Sequence, residues 1–383
     1  MTGNRLYFDH AATSPLAEGV LDAMRPWLEA GAAFNASAVH RSGQRARAAL
    51  ETARETIAAT LDAHPSEIIF TSGATEADAL AIHGFLESRP QTQPLVTQQA
   101  EHAAVLAAAG RQETLGRPVI RLSPGEAGVP SAEAVDEALQ SAPSTALVSI
   151  MHTNNETGAQ ADVSALAEVS HRAGAAFMTD AVQAYGVVPL SVRDLDVDLL
   201  AISAHKIGGP QGIGALFVRD GIDVAPQQLG GAQERGLRGG TLPLALAVGF
   251  AAAADKQHAA RDHHHQRLRG LQARLQAAIE AVPGVRINGR DVGPKHLNVT
   301  VENVDGEALH FALDAAGLEV SAGSACSAGS LEPSHVLTAM GLPTREALAS
   351  VRFSFGSLTT EPDVDEAARR FAEVVARVRD LGS

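Results

Sequence analysis

The sequence predicts an α/β protein, in which a large domain with a mainly parallel central sheet covered by helices is joined to a smaller α+β domain. Short, continuous apolar runs alternate with helical patterns over the first two thirds of the chain, as is typical of parallel strands buried on both faces. Near Thr241 this alternation gives way to one long helical pattern and then to mixed elements. The length of 383 residues also suffices for two or three domains.

The large domain is predicted to begin with helices. Ser14-Pro15 places a proline at the first position of a helix, and residues 45–61 have the spacing of an amphipathic helix. The strand patterns that follow cover residues 68–70, 95–98, 119–122, 146–151, 175–179, 199–203 and 215–218. The helical patterns between them cover residues 73–82, 103–111, 132–139 and 163–173.

The last third of the chain has a mixed pattern. A helical stretch over residues 243–281 ends before the turn signal Pro283-Gly284. Beyond it we predict strands at 296–301 and 351–355, and helices at 306–316, 333–340 and 364–381. We assign residues 16–255 to the large domain and residues 1–15 and 256–383 to the small one, on which residues 6–12 are expected to pack.

Composition and charge exclude several classes of protein. The single cysteine excludes an intrachain disulfide framework and indicates a reducing, cytoplasmic setting. Residues 1–15 lack the features of a secretory signal, and alanine-rich runs such as 244–254 are too short to span a bilayer. The net charge of −14 and the absence of a basic tract argue against nucleic-acid and membrane partners.

Polar residues unusual for a core follow four of the predicted strands. They occupy residues 71–76, 152–158, 180–183 and 203–206. Ligands of open parallel sheets bind beyond the carboxyl ends of the strands. Four polar clusters at such positions therefore predict a binding site at one edge of the sheet.

Lysine occurs only three times, as Lys206, Lys256 and Lys295. Lys206 directly follows an apolar strand pattern and stands beside Ser203 and His205. Partial burial there would lower the pKa of its amine and make it nucleophilic. An ordinary surface lysine in a loop is the alternative interpretation.

Three other features complement this amine. Asp180 ends a strand pattern, where its carboxylate could pair with a cationic ring nitrogen or cap a helix. Residues 71–76 lead from a strand through a glycine turn into a helix start, an arrangement that suits a phosphate, although the ending of a P-loop is absent. His102 could cover a ring or exchange protons. Together these are the components of a pyridoxal 5′-phosphate site.

The only cysteine, Cys326, lies in the segment Ser321-Ala-Gly-Ser-Ala-Cys-Ser-Ala-Gly-Ser330. Its tiny neighbours leave the backbone free to move and the sulfur reachable. These surroundings favour a cysteine that acts as a nucleophile. A small, half-buried residue with a packing role is the other interpretation that the cysteine by itself allows.

Motifs along nearly the whole chain carry a family resemblance. They are Tyr7-Phe-Asp-His-Ala-Ala-Thr-Ser-Pro15, Ser72-Gly-Ala-Thr-Glu76, Glu101-His102, Asn154-Asn-Glu-Thr-Gly158, Asp180-Ala-Val-Gln183, Ser203-Ala-His-Lys206, Gly230-Gly-Ala-Gln-Glu234, Arg238-Gly-Gly-Thr241, Gly323-Ser-Ala-Cys326, Glu332-Pro-Ser-His-Val336 and Arg352-Phe-Ser-Phe-Gly356. With these motifs in this order, the chain resembles the cysteine desulfurases of the iron–sulfur-assembly and nitrogen-fixation type. These are fold type I pyridoxal-phosphate enzymes of the class V aminotransferase family.

The resemblance implies roles around the cofactor ring. Lys206 would hold pyridoxal phosphate covalently, and Asp180 would pair with its ring nitrogen. Gln183 would hydrogen-bond the ring hydroxyl, and His102 would stack on the ring and move protons. Asn155 would contact both cofactor and substrate.

The resemblance also implies a phosphate site and a homodimer. Ala74, Thr75, Ser203 and His205 would bind the cofactor phosphate. Thr241 would reach the phosphate of the neighbouring subunit.

The activity implied is removal of sulfur from L-cysteine, with release of L-alanine. Arg352 would clamp the substrate carboxylate, because a guanidinium fork matches carboxylate geometry. Cys326 would take the sulfur as a persulfide and deliver it to an iron–sulfur scaffold or another sulfur acceptor. Through that persulfide Cys326 could also serve as a transient iron–sulfur ligand.

The sequence also allows two other functions. One is another fold type I enzyme, either an aminotransferase or a selenocysteine lyase that forms no protein persulfide. Another is a sulfur-transfer scaffold that has lost catalysis. The chain also departs from the family pattern, with His10 and Gly239 in place of the usual asparagine and serine, and Asn35-Ala-Ser-Ala38 in place of Asn-Pro-Ser-Ser.

Overall fold

The computed structural model describes residues 5–29, 34–322 and 332–382, and a seven-stranded sheet forms its centre. In chain order the strands of the protein are β1 (Leu6–Tyr7), β2 (Ile68–Thr71), β3 (Leu95–Gln98), β4 (Val119–Leu122), β5 (Leu147–Ser149), β6 (Ala176–Asp180), β7 (Leu199–Ser203), β8 (Gly214–Val218), β9 (Val285–Asn288), β10 (His296–Val301), β11 (Leu318–Glu319) and β12 (Ser350–Ser354). The central sheet has the order β2-β8-β7-β6-β5-β3-β4. Only β8 runs against its neighbours, so the predicted mainly parallel sheet is confirmed.

Helices cover both faces of this sheet, and the last helices pack with the C-terminal strands instead. The helices of the described residues are α1 (Val20–Met24), α2 (Arg41–Thr60), α3 (Ala74–Ala79), α4 (Phe85–Glu87), α5 (Ala103–Thr114), α6 (Ala132–Ser141), α7 (Val163–Arg172), α8 (Leu244–Glu280), α9 (Gly306–Ala315), α10 (His335–Ala339), α11 (Thr344–Leu348) and α12 (Glu361–Gly382). A π-helical turn, Leu80–Gly84, joins α3 to α4, so the helical stretch predicted for residues 73–82 extends to Glu87.

Alternation along the strands divides the apolar core into two layers. In β6, Phe177 packs in the layer that includes α2, α7 and α8, whereas Met178 packs in the layer formed with α3 and α5. Successive strand side chains point to opposite faces. A strand covered on both sides is therefore mostly apolar, which is why these strands were visible in the sequence.

The prediction that a helix begins at Ser14-Pro15 is wrong. The first described helix begins at Val20, after Gly19. The N–H of Ser14 donates to the carbonyl of His205 at 2.9 Å, and the N–H of Ala17 donates to that of Gly208 at 2.8 Å. These long-range bonds hold the segment against the loop after β7, and a local sequence signal cannot anticipate them.

The N-terminal segment lies on the C-terminal part of the chain, as expected for residues 6–12. β1 pairs in parallel with β11, and the N–H of Ser354 donates to the carbonyl of Phe8 at 2.7 Å. A three-stranded antiparallel sheet, β12-β10-β9, forms the centre of this region. β9 and α11 were not predicted. The division into two domains stays a prediction.

A buried ion pair ties α2 to the segment before α8. The guanidinium of Arg54 donates to both carboxylate oxygens of Glu234, at 2.8 and 2.6 Å. Glu234 also accepts the N–H of Phe70 at 2.6 Å. The two charged side chains are only 5% and 1% exposed, so the pair is shielded from solvent.

Replacing Glu234 with Ala is expected to lower the free energy of unfolding by on the order of 3–5 kcal/mol, because Arg54 would keep a buried charge with its main partner removed. The matched control is Glu126→Ala, since Glu126 pairs with Arg290 at the surface with 85% and 73% exposure and such pairs contribute less than about 1 kcal/mol. Urea unfolding measures both. Equal, small effects for the two variants would contradict the structural role of Glu234.

Among the helices in the described ranges, none combines the length and the apolarity that crossing a membrane requires.

Candidate active site

A cavity of about 1050 Å³ opens at the carboxyl edge of the parallel strands. The segments that follow β2, β3, β5, β6 and β7 meet there, together with residues from the N-terminal segment and from β12. The predicted residues that line it are Ala74, Thr75, His102, Asn155, Asp180, Gln183, Ser203, His205, Lys206 and Arg352. The structure thus brings ten of the predicted residues to one site.

Two predicted residues, Thr241 and Cys326, are not among these ten. Thr241 is exposed and does not line the cavity, so a role for it here would require a second subunit. Cys326 lies outside the described residues. The cavity reaches the last described residues before that gap, Ser321 and Ala322, and the first ones after it, Glu332 and His335.

Lys206 ends a single 3₁₀ turn, Ala204–Lys206, directly after β7. Its Nζ donates to the carbonyls of Ala11 and Ala12 at 2.6 and 2.7 Å. Burial and, secondarily, the positive charge of Arg352 lower the pKa of Lys206 to about 8. The amine is therefore poised to be neutral, and hence nucleophilic and basic, far more often than an exposed lysine.

Asp180 is the last residue of β6 and is 5% exposed. The N–H of Val182 donates to its Oδ1 at 2.9 Å, and no helix follows in residues 181–187. The alternative interpretation of Asp180 as a helix cap is therefore wrong. Burial raises the pKa of Asp180, while His102 and Lys206 oppose that rise. A cation placed beside this carboxylate would neutralise its negative charge.

His102 caps the start of α5, where its Nδ1 accepts the N–H of Ala104 at 3.2 Å. The accepting Nδ1 places the proton of the neutral ring on Nε2. Burial lowers the pKa of His102, so the neutral form is favoured. One ring nitrogen lies within 4.8 Å of a carboxyl oxygen of Asp180, which aims the ring into the cavity.

The turn between β2 and α3 has the form of an anion cradle. Glu76 accepts the N–H of Ser72 at 2.7 Å and pairs with Arg238 at 2.8 Å, which fixes the turn. A Cβ atom at Gly214 of β8 would lie 2.8 Å from the Gly73 Cα atom, so only glycine allows the two segments to approach this closely. The start of the helix is thereby held open toward the cavity.

His205 lines the same cavity as this turn. Its Nδ1 lies 3.2 Å from the Oγ1 of Thr13. Burial, Lys206 and Lys295 lower the pKa of His205 to about 4. It is therefore a neutral hydrogen-bonding group near pH 7, beside Ser203.

Arg352 projects from β12 and is 4% exposed. It pairs with Asp9 Oδ1 at 2.5 Å and donates to the carbonyl of Asn155 at 2.8 Å. Its Nε has no hydrogen-bond partner among the described residues. A cation held rigidly with one donor unused is suited to bind a carboxylate.

The donor set fits pyridoxal phosphate. Within the described ranges, Oδ1 of Asn155 and Oε1 of Gln183 are buried and have no hydrogen-bond partner, although both residues line the cavity. Buried polar atoms are rarely left unpaired, so these two indicate a polar ligand. Lys206, Asp180 and the β2–α3 turn supply the amine, the carboxylate and the anion cradle that this cofactor requires.

Sequence reasoning missed four charged residues of this region. Asp9 pairs with Arg352, and Asp78 and Glu101 are fully buried near Asp180. Lys295 is 3% exposed and donates to the carbonyl of Lys206 at 3.1 Å. The scarcity of lysine was the one available signal for Lys295. A carboxylate flanked by Ala77 and Ala79 on a short helix was a weak one for Asp78.

Lys295 lowers the stability of the fold. Burial, Lys206 and Arg352 lower its pKa to about 7. A lysine whose pKa is lower in the folded protein binds fewer protons there than in the unfolded chain. Its burial therefore destabilises the fold most at low pH, and this cost disappears as the pH rises toward the ordinary value of 10.5.

Lys295→Met is accordingly expected to raise the free energy of unfolding by on the order of 2 kcal/mol at pH 7, with a gain that shrinks toward pH 10. Lys256→Met is the control, because Lys256 is exposed and pairs with Glu18. Urea unfolding at both pH values measures the gain. A gain that is the same at pH 7 and pH 10 would show that ionisation of Lys295 is not its source.

Comparisons with known proteins agree with this geometry. The sequence matches the family described as Aminotransferase class-V over residues 6–367. It is 40% identical to cysteine desulfurase IscS of Photorhabdus laumondii, over 98% of this chain and 94% of that protein. It is also 40% identical to the human cysteine desulfurase, over 98% of this chain and 83% of that protein.

Solved structures give the same picture. A NifS-like protein superposes with a TM-score of 0.91 at 31% identity, covering 98% of this chain and 100% of that one. SspA, solved in complex with cysteine, superposes with a TM-score of 0.82 at 38% identity, covering 93% of this chain and 100% of that one.

Proposed function

This chain belongs to the class V aminotransferase family and is a pyridoxal-phosphate-dependent cysteine desulfurase, and from this premise we propose that its Cys326 takes the sulfur of L-cysteine as a persulfide. The observation that supports the site assignment best is the partly buried Lys206 amine, which shares one cavity with Asp180 and Arg352.

Pyridoxal phosphate supplies, when bound, a sink for the electrons released at a substrate carbon. Lys206 would hold it through the amine, and Asp180 would lie at its ring nitrogen. Gln183 and Asn155 have the unused acceptors that its polar groups can satisfy. Ala74, Thr75, Ser203 and His205 would surround its phosphate, with Thr241 of a second subunit completing a homodimeric site.

Lys206 would act as the base that removes the α-proton of the substrate. Its lowered pKa provides a neutral amine near physiological pH, and a base works best when its pKa is close to the working pH. His102 has a neutral ring with the proton on Nε2. This ring can exchange a proton within the cavity that Lys206 also lines.

Arg352 would orient the substrate by its carboxylate. The ion pair with Asp9 and the bond to the Asn155 carbonyl hold the guanidinium in place, so little side-chain freedom is lost on binding. The sulfur of a substrate held in this way would lie in the cavity. Ser321 and Glu332, which stand on either side of the gap that contains Cys326, both line this cavity.

The Cys326 thiolate would then attack the substrate sulfur. An S–S bond forms, the C–S bond breaks, and its electron pair passes to the carbon fragment. Protons complete that fragment as L-alanine, so that L-cysteine and a protein thiol become L-alanine and a protein persulfide, with no other oxidant or reductant. The persulfide sulfur would pass to an acceptor protein, for which an iron–sulfur scaffold is our first candidate.

The test is to incubate the purified protein with L-cysteine, count the alanine formed and analyse the Cys326 peptide by mass spectrometry. We expect one added sulfur on that peptide and one alanine per sulfur in the first turnover. Alanine and released elemental sulfur without modified Cys326 would instead support a lyase without a persulfide. No alanine at all would contradict the desulfurase assignment.

A further inference from the structure

Asp78 is a buried carboxyl group that the reaction described above does not use. It lies on α3 with no exposed surface. Both of its carboxyl oxygens lack a hydrogen-bond partner among the residues that the structure describes. A buried carboxyl group without partners is costly, so its presence directly behind the cavity calls for a physical explanation.

The neighbours of Asp78 supply that explanation. Polar atoms of Asp78, His102 and Asp180 all lie within 4.8 Å of one another, and Glu101 is the other acidic group that acts on Asp78. Two carboxyl groups this close cannot both ionise at low cost. The geometry therefore favours a state in which the pair holds one proton.

The surroundings decide which of the two keeps the proton. Asp180 accepts the N–H of Val182 and is stabilised as an anion by His102 and Lys206. Asp78 has no such support, and burial together with Asp180 and Glu101 raises its pKa well above the usual value. The negative charge thus belongs to Asp180 and the proton to Asp78.

We propose that Asp78 is a positioning residue that keeps its carboxyl proton and donates it to one buried water, which in turn donates a hydrogen bond to the Asp180 carboxylate. This proposal rests on the proposed function in one respect, that Asp180 faces the cofactor ring nitrogen. The proton stays on Asp78, and no covalent bond changes.

Such a hydrogen bond has a defined effect on the site. A carboxylate that accepts an additional hydrogen bond is stabilised as the anion. Asp180 then competes less well for the proton of the ring nitrogen, which remains on the ring. Asp78 would in this way preserve the cationic ring from a position that touches neither substrate nor cofactor.

Two variants of Asp78 separate its roles. Asp78→Asn keeps the shape and a neutral donor, whereas Asp78→Val fills the space without a donor. The holoprotein is loaded with pyridoxal phosphate labelled with ¹⁵N in the ring, and the ring-nitrogen resonance and cofactor affinity are measured.

We expect Asp78→Asn to resemble wild type in both measurements. Asp78→Val should shift the resonance toward the unprotonated ring and weaken cofactor affinity about tenfold or more, the value of a hydrogen bond to a charged group. If both variants shift the resonance equally, or if neither does, the proposal is overturned.

A second measurement covers the case in which Asp78→Val does not fold. A carboxyl group with a raised pKa in the folded state contributes stability that is lost as the pH rises. The stability of Asp78→Asn relative to wild type should therefore increase with pH in urea unfolding of the holoprotein. A constant difference would mean that Asp78 is ionised throughout, contrary to the proposal.

These readouts require only cofactor binding and folding. A failure of the desulfurase assignment would appear separately, as absence of alanine from the wild-type protein.

Discussion

Replacing Lys206 with Ala is expected to lower the rate of alanine formation from L-cysteine by about 10²–10⁴-fold, the range for loss of a general acid–base group. The loss should lie toward the upper end, because Lys206 would also provide the covalent link to the cofactor. After borohydride reduction, mass spectrometry should find the cofactor on Lys206 of the wild-type protein and on no lysine of the variant.

The position of the Lys206 amine explains why no other lysine can replace it. Lys206 donates to the carbonyls of Ala11 and Ala12, which hold it at the carboxyl edge of the sheet. Neither Lys256, at the surface, nor Lys295, whose Nζ is directed to the Lys206 carbonyl, is placed to replace it. Lys256→Ala is the matched control and should retain full activity. Cofactor attached to another lysine of Lys206→Ala would contradict the assignment.

Replacing Cys326 with Ala should abolish the protein persulfide and lower alanine formation by several orders of magnitude, as loss of a nucleophile does in other enzymes that act through a covalent intermediate. Cofactor binding and the change in its visible absorption on addition of L-cysteine should persist, because these depend on Lys206, Asp180 and Arg352. The two variants therefore fail at different steps.

The control for Cys326 is Ser327→Ala, which introduces the same methyl group beside an intact thiol. It should form the persulfide and release alanine at nearly the wild-type rate. Alanine formation by Cys326→Ala at a near-normal rate would eliminate Cys326 as the sulfur acceptor. Persulfide in Ser327→Ala without alanine would indicate a different source of sulfur.

The central sheet was largely predictable because its strands are short and buried on both faces. β3, β4 and β7 have the predicted bounds. β3 and β7 are buried at every position, whereas β4 lies at the edge of the sheet and was visible through three apolar residues out of four. The short β9, which is buried at only one of four positions and has only two apolar residues, gave no comparable signal. The prediction of a helix at Ser14-Pro15 was wrong because the N–H groups of Ser14 and Ala17 donate to carbonyls of the loop after β7.

The location of the site was predictable for a related reason. The carboxyl ends of parallel strands meet at one edge, so polar residues directly after buried strands, such as Asp180 and Lys206, must come close together whatever the details of packing. The roles of these residues remain predictions that the variants above test.

By itself, the sequence determined which side chains reach that edge, because strand ends and the residues that follow them are local properties. Only the tertiary structure decided the charge state of the site. Arg352 meets Asp9 across 343 residues, and Asp78 meets Asp180 only when α3 packs on the sheet. The pKa of a group depends on its burial and on the charges around it, and both are set by segments that are distant in the chain.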